Sequence, residues 1–123
     1  MNYLKRNDGF TLMELLIVIA ILGILSAIVM YQFSSYQQKS YDAQAHSDLR
    51  NAVTAEEAYY ASAQTYKSGT DNGPGNSRFL EGLRLSPTVA LEMVANGSTF
   101  SGTAKSSRGS RTLSYDSATG TIQ

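Results

Sequence analysis

The chain has 123 residues, and its ten basic and ten acidic side chains give a formal net charge of zero. It contains no cysteine, which excludes a disulfide framework, a thiolate metal site and catalysis by a thiol. Its basic residues form no tract along the sequence, so nucleic acid is not expected as a primary ligand.

An apolar run extends from Phe10 to Met30 and contains one charged residue, Glu14. A helix of about 20 apolar residues is long enough to span a membrane. A carboxylate in such a span is costly unless it has a partner, so Glu14 is a candidate functional residue. Residues 1–9 form a short polar leader, in which Lys5 and Arg6 predict a cytoplasmic N-terminus and a periplasmic C-terminal part.

The residues around the start of this run resemble the leader and N-terminal helix of type IV pilins and their pseudopilin relatives. The residues that carry the resemblance are Gly9-Phe10-Thr11-Leu12-Met13-Glu14-Leu15-Leu16 and the apolar sequence that follows them. The resemblance implies that a prepilin peptidase cuts between Gly9 and Phe10 and methylates the new N-terminus. It further implies that Glu14 pairs with the N-terminal amine of a neighbouring subunit, which makes Phe10, Thr11 and Glu14 the assembly residues.

The end of the span departs from the family pattern. Pilins usually carry a proline there, whereas this chain has Tyr31 in that neighbourhood. Gly23 is the only strong helix weakener within the span, so we assign it a role in helix flexibility. In some family filaments the segment between this glycine and the proline loses helicity on assembly, and Tyr31 leaves that behaviour open here.

The helix is predicted to continue past the span, because Gln32 to Gln64 contains no proline or glycine. Residues 10–30 would form the membrane or filament-core part, and residues 31–65 an amphipathic half. One helical face collects apolar side chains, and its members are Ala45, Leu49, Ala52, Tyr59 and Ala63.

Polar residues of this half-helix have several possible roles. Glu56 lies inside the apolar stripe, and we expect it either to hydrogen-bond to a sheet residue or tyrosine, or to lie at the solvent edge. Asp42 and Asp48 are expected to supply surface charge. His46 has no carboxylate or histidine at ligand spacing, so it is interpreted as structural or exposed.

Residues 66–87 are rich in turn formers and are predicted to be a connecting loop. Phe79, Leu80, Leu83 and Leu85 would pin this loop to the core. Asp71, Asn72 and Asn76 do not follow the order of a calcium-binding loop. We therefore expect no metal and no cofactor.

Residues 88–123 predict an antiparallel sheet of three or four strands. A turn at Asn96-Gly97 would pair Met93 with Phe100, Leu91 with Gly102 and Val89 with Ala104. A second turn at Arg108-Gly109 would pair Leu113 with Ala104 and Tyr115 with Gly102, and Thr121-Ile122 would return as a fourth strand. The apolar side of this sheet should pack on the helix stripe, which gives an α+β fold.

No catalytic constellation appears in the sequence, so the chain is not expected to be an enzyme. The leading hypothesis is a major type IV pilin, inserted in the inner membrane as a precursor and then assembled into an extracellular filament for adhesion, twitching motility or DNA uptake. Its expected partners are copies of itself, the prepilin peptidase/methylase, the inner-membrane assembly machinery and the membrane.

Four alternatives stay open from sequence. The chain could be a pseudopilin of a type II secretion system, which forms a short periplasmic piston, or a minor pilin that primes or tips a filament. It could also be a membrane-anchored binding module that acts as a monomer. The aromatic residues along the helix raise electron conduction as a fourth idea, against which stands their ordinary role in packing.

Overall fold

The computed structural model describes residues 9–123, so the predicted leader at 1–9 lies outside the described residues except for Gly9. A single α-helix, α1, covers Leu12–Ala63 and passes through Gly23 and Tyr31 without interruption. It ends where Gln64 adopts a left-handed backbone conformation with φ of 57°. By compactness the chain divides after Ser35, and we call the second unit, Tyr36–Gln123, the head.

The head is an α+β unit in which the second half of α1 packs on an antiparallel sheet, as predicted. Its strands are β1 (Gly69–Asn72), β2 (Gly75–Asn76), β3 (Arg84–Leu85), β4 (Val89–Asn96), β5 (Thr99–Ser106), β6 (Thr112–Asp116) and β7 (Thr121–Ile122). The main sheet has the order β1-β4-β5-β6-β7, and β2 pairs with β3 separately. The expected meander is therefore present, and β7 is the predicted fourth strand.

The fifth strand of the sheet, β1, comes from the segment predicted to be a loop. Its sequence, Gly69-Thr70-Asp71-Asn72, is typical of turns, but it pairs with β4 from Gly69↔Met93 to Asn72↔Ala90. A Cβ atom at Gly69 would lie 2.6 Å from the ring of Phe79, so the glycine makes room for that ring. The strand exists because a long partner strand and the packed loop stabilise it, and its own residues give no such signal.

The predicted register of β4 with β5 is wrong by two residues. Met93 pairs with Gly102, Leu91 with Ala104 and Val89 with Ser106, because the turn residues are Gly97 and Ser98 instead of Asn96 and Gly97. Gly97 has φ of 64°, as the first central residue of a type II′ turn requires. The register of β5 with β6 is as predicted, with Ala104 opposite Leu113 and Gly102 opposite Tyr115.

The core of the head lies between α1 and the sheet. The helix contributes Ala45, Leu49 and Ala52, each with no exposed surface. The sheet contributes Val89, Leu91, Met93, Phe100, Ala104 and Leu113, and the loop contributes Leu80, Leu83 and Leu85. The predicted inward face is therefore confirmed, since a register shift of two residues leaves every side chain on its original face.

Candidate assembly site

The beginning of α1 is closed by a reciprocal pair of hydrogen bonds between Thr11 and Glu14. The amide of Thr11 donates to Glu14 Oε2 at 2.9 Å, and the Thr11 hydroxyl donates to the same oxygen at 2.8 Å. In return, the amide of Glu14 donates to the Thr11 hydroxyl oxygen at 3.2 Å. This is a capping box, in which two amides of the first helical turn find side-chain acceptors.

The capping box was not recognised from sequence, although its signal is present. Thr11-Leu12-Met13-Glu14 matches the S/T-x-x-E pattern that marks a helix N-terminus. The structure thus brings together two of the three predicted assembly residues, Thr11 and Glu14, within one chain. It gives Glu14 a local partner in addition to the amine of a neighbouring subunit that the resemblance implies.

Gly9 and Phe10 precede the helix and are exposed. A Cβ atom at Gly9 would meet no atom within 4 Å, so the packing of the described residues does not require glycine at this position. The Phe10 side chain is 88% exposed. A Cβ atom at Gly23, within the helix, would likewise meet no atom within 4 Å.

The first part of α1 carries apolar side chains that the other described residues do not cover. Leu12 is 80% exposed, and even Val18, the least exposed of this set, is 47% exposed. By length and composition, α1 is the one helix among the described residues that could cross a membrane. This surface must be covered by lipid or by other helices, because water contact with so large an apolar area is unfavourable.

Within the head, the prediction of surface charge is wrong for Asp48, which is buried, whereas Asp42 is half-exposed. Asp48 is buried and accepts hydrogen bonds from the amide of Ser86 at 2.7 Å and from its hydroxyl at 3.2 Å. Asp42 accepts hydrogen bonds from the backbone amides of Ser110 and Arg111 and from the Ser110 hydroxyl. Each carboxylate therefore ties a remote loop to α1.

Burial acts to raise the pKa of Asp42, but the hydrogen bonds from Ser110 and Arg111 outweigh it. The positive charge of Arg111 acts in the same direction as these bonds, so the pKa of Asp42 is lowered from its ordinary value. The ionised carboxylate is thus the form that holds the loop.

Glu56 is a third carboxylate on the same half-helix, and it is fully buried. Its Oε1 accepts a hydrogen bond from the amide of Lys67, whereas its Oε2 is buried without a partner among the described residues. Two roles were expected for Glu56, a hydrogen bond or a place at the solvent edge, and the hydrogen bond is the correct one. Its donor is the loop amide of Lys67, however, and not a sheet residue or a tyrosine. Burial raises the pKa of Glu56, although the amide and charge of Lys67 oppose the shift.

No group of three or more metal-ligating side chains occurs among residues 9–123. His46 is exposed, in agreement with one of the two interpretations from sequence. The main chemical feature of the described residues is therefore the first part of α1, whose N-terminus is capped by Thr11 and Glu14 and whose apolar side chains are exposed.

Comparison with known sequences places this feature in a family. The profile described as "Prokaryotic N-terminal methylation motif" matches residues 4–30. The "Type IV major pilin protein PilA" of Myxococcus xanthus (strain DK1622) is 41% identical over 61 residues, which cover 50% of this chain and 28% of the relative.

Two further relatives match over a longer stretch. "Fimbrial protein EcpB" of Eikenella corrodens is 36% identical over 95 residues, covering 74% of this chain and 60% of the relative. "Type II secretion system core protein G" of Aeromonas hydrophila is 34% identical over 88 residues, covering 72% of this chain and 57% of the relative. The chain thus spans less than two thirds of the length of each relative. With the methylation motif, these matches identify the chain as a member of the type IV pilin and pseudopilin superfamily.

Proposed function

We propose that this chain is the major subunit of a type IV pilus, which is stored in the inner membrane and then assembled into an extracellular filament. The observation that carries the proposal is the uncovered apolar part of α1, which begins at a Thr11–Glu14 capping box. In the membrane, lipid tails cover this surface. In a filament, the same part of neighbouring copies covers it.

The expected processing follows from the position of Gly9. A peptidase must bring the backbone of its substrate close to its catalytic groups, and glycine offers the least obstruction. Because the described residues pack nothing against Gly9, selection for cleavage is a sufficient reason for glycine there. Cleavage would convert the amide nitrogen of Phe10 into a free amine, which the peptidase/methylase would then methylate.

The docking step uses the new amine of Phe10 and the carboxylate of Glu14. In the described chain, the two hydrogen bonds donated by Thr11 both end on Oε2 of Glu14. We assign Oε1 to the Phe10 amine of a neighbouring copy. A charge-assisted N–H to carboxylate bond is about twice as strong as a neutral one and stronger still away from water. One such bond per subunit would set the axial register.

Assembly by this pair is heterologous, because the amine of one copy meets the carboxylate of another. Repetition of a heterologous contact that does not close on itself generates a helical filament. The apolar helices would form its centre, and the heads would cover the outside. Adhesion, twitching motility and DNA uptake are the activities that such a filament would serve.

A second candidate is a pseudopilin that forms a short periplasmic piston. The specific observation in its favour is the match to the type II secretion protein of Aeromonas hydrophila, which extends over 72% of this chain and therefore into the head. The two functions share the N-terminal helix, so the length and location of the polymer must distinguish them.

The experiment is to shear fibres from the cell surface, examine them by electron microscopy and determine the N-terminal residue of the polymer by mass spectrometry. We expect long fibres composed of this chain, beginning at a methylated Phe10. Absence of fibres, together with accumulation of secreted proteins inside a deletion strain, would replace the pilin by the pseudopilin. Fibres that begin at Met1 would overturn the processing step.

A further inference from the structure

The head brings basic side chains from two distant parts of the sequence to one region of α1. Lys39 lies on α1, whereas Arg108 and Arg111 lie in the turn between β5 and β6. We call Lys39, Arg108 and Arg111 the basic cluster. We propose that this cluster binds the phosphate groups of anionic lipids at the periplasmic surface of the membrane, before the subunit enters a filament.

The turn that carries the two arginines is held against α1. Asp42 Oδ1 accepts hydrogen bonds from the amides of Ser110 at 2.9 Å and Arg111 at 3.1 Å, and Asp42 Oδ2 accepts from the Ser110 hydroxyl at 2.8 Å. Lys39 and Arg111 line the same surface depression beside Asp42. The cluster is therefore a product of tertiary structure, and this is why no basic tract appears in the sequence.

The charges of the cluster exceed the negative charge nearby. Asp42 is the carboxylate at its centre, and three donors of the turn already occupy it. Arg108 Nη1 donates to the neutral hydroxyl of Tyr41 at 2.9 Å, and its guanidinium carbon lies 5.6 Å from the ring centroid of Tyr41. This arrangement fixes the guanidinium and leaves most of its five N–H groups for an external acceptor.

Phosphate is the acceptor that suits this arrangement. A guanidinium binds phosphate oxygens through two parallel hydrogen bonds, and an ammonium such as Lys39 adds a point charge. Since the backbone of the turn is already ordered by Asp42, less conformational entropy is lost when the phosphate binds.

The sequence places part of the cluster close to the apolar run. Lys39 follows Met30 by nine residues, and both residues belong to α1. Between Met30 and Lys39 lie three exposed aromatic residues, Tyr31, Phe33 and Tyr36. Aromatic residues followed by basic ones are typical of a membrane interface.

This inference depends on the proposed function only in requiring that the precursor is inserted in a membrane. The chain has no cysteine, so Ser107→Cys provides a single labelling site beside the cluster. We would reconstitute the full chain in vesicles of phosphatidylcholine, with or without about 30 mol % phosphatidylglycerol. A fluorophore at position 107 reports docking through its quenching by lipids that carry a spin label on the headgroup.

We expect quenching to increase with phosphatidylglycerol and to decrease with salt. In Arg108→Gln/Arg111→Gln, the ratio of docked to undocked heads should fall about fivefold per removed charge. Arg108→Lys/Arg111→Lys should retain part of the docking, because it keeps the charges without the bidentate geometry. The matched control is Arg78→Gln/Arg84→Gln, which removes two exposed arginines outside the cluster and should dock like the parent chain.

Equal quenching in both vesicle types, or equal docking by the cluster variant and the control, would overturn the inference. So would a cluster variant that docks normally but assembles poorly, because the partner would then be another protein subunit. Resistance to alkaline extraction reports insertion separately. An inserted chain without lipid-dependent docking therefore contradicts only this inference, whereas failure to form fibres contradicts the proposed function.

Discussion

The two parts of α1 show how one helix serves two environments. In the first part, Leu22 is 55% exposed, whereas Leu49 in the head has no exposed surface. The first part is apolar on all sides, and the second part is apolar on one face only. A helix that is apolar all round needs a solvent or partner outside its own chain, whereas a one-sided helix can be completed by its own sheet. The first part therefore suits the proposed assembly, whereas the second part completes the fold of the head.

The carboxylates of α1 differ in the same way. Glu14 accepts hydrogen bonds from Thr11, three residues away, and stabilises only the helix end. In contrast, Asp48 accepts from Ser86, and Asp42 accepts from Ser110. The head thus uses its carboxylates to hold remote loops, whereas Glu14 contacts only its own helix end and is the carboxylate that we propose for docking.

The largest effect is expected from Gly9→Leu, which tests whether the leader must be cut off before the apolar part of α1 can enter a fibre. A bulky side chain should block the peptidase, so that precursor accumulates in the membrane and no fibres form. Immunoblotting of membrane and sheared fractions measures both outcomes. Gly9→Ala, the smaller change, should be partly processed. Normal fibres from Gly9→Leu would contradict the assignment of the cleavage site.

Glu14→Val tests the docking role of the carboxylate and should reduce fibre yield at least tenfold, as expected from the loss of one charge-assisted bond per subunit. Insertion and cleavage should be unchanged. Two controls separate docking from capping. Glu14→Gln keeps an acceptor for Thr11 without the charge, so it should also assemble poorly, whereas Thr11→Ala should cost only about 1 kcal/mol of helix stability. Normal fibres from Glu14→Gln would show that the charge is not needed.

A pair of leucine substitutions tests the contrast between the two parts directly. Leu49→Ala should destabilise the head by about 3 kcal/mol, because it leaves a cavity beneath the sheet. Leu22→Ala should leave unfolding of the head unchanged and reduce fibre yield instead. Urea unfolding of the full chain in detergent micelles, followed by tyrosine fluorescence, measures the first effect. Equal losses of head stability in both variants would remove the distinction.

Asp48→Ala tests the tie between α1 and the loop at Ser86, and it should cost about 2 kcal/mol because a part-buried amide loses its acceptor. Asp48→Asn should cost less, since its carbonyl oxygen can still accept from that amide. Glu57→Ala, an exposed change on the same half-helix, should stay within about 0.5 kcal/mol. If Asp48→Ala and Glu57→Ala unfold at the same urea concentration, the tie is not stabilising.

The smallest effect concerns the pH dependence of head stability. The pKa of Glu56 is raised in the folded chain, so the folded state binds a proton before the unfolded state as the pH falls from neutrality. The contribution of Glu56 to the unfolding free energy should therefore increase as the pH falls to its folded pKa and below. It is lost as the pH rises through that value.

Glu56→Gln should abolish this slope and be more stable than the parent at pH 7 by about 1 kcal/mol, because no buried charge remains. Urea unfolding of both chains at successive pH values isolates Glu56 in the difference between parent and variant, because Asp42 and the other titrating groups are common to both. Parallel stability curves for parent and variant would contradict the assignment.

Register is where local sequence and tertiary packing disagree. Asn96-Gly97 is a strong turn signal, but Gly97-Ser98 also suits a two-residue turn, and the two choices place the same side chains on the same face. Packing decides between them. A Cβ atom at position 102 would lie 2.5 Å from Met93 Sδ and 3.1 Å from Leu49 Cδ1, so Gly102 makes room for both side chains.

The sequence alone determines the apolar run from Phe10 to Met30 with its single carboxylate, the N-terminal methylation motif, the α+β class and the inward face of the sheet. These follow from local periodicity and from a contiguous motif, which need no knowledge of distant contacts. Tertiary structure decides the β4–β5 register, the strand status of β1, the tying role of Asp48 and the clustering of Arg111 with Lys39. Each of these depends on groups far apart in the chain, and residue type alone does not specify which of them meet.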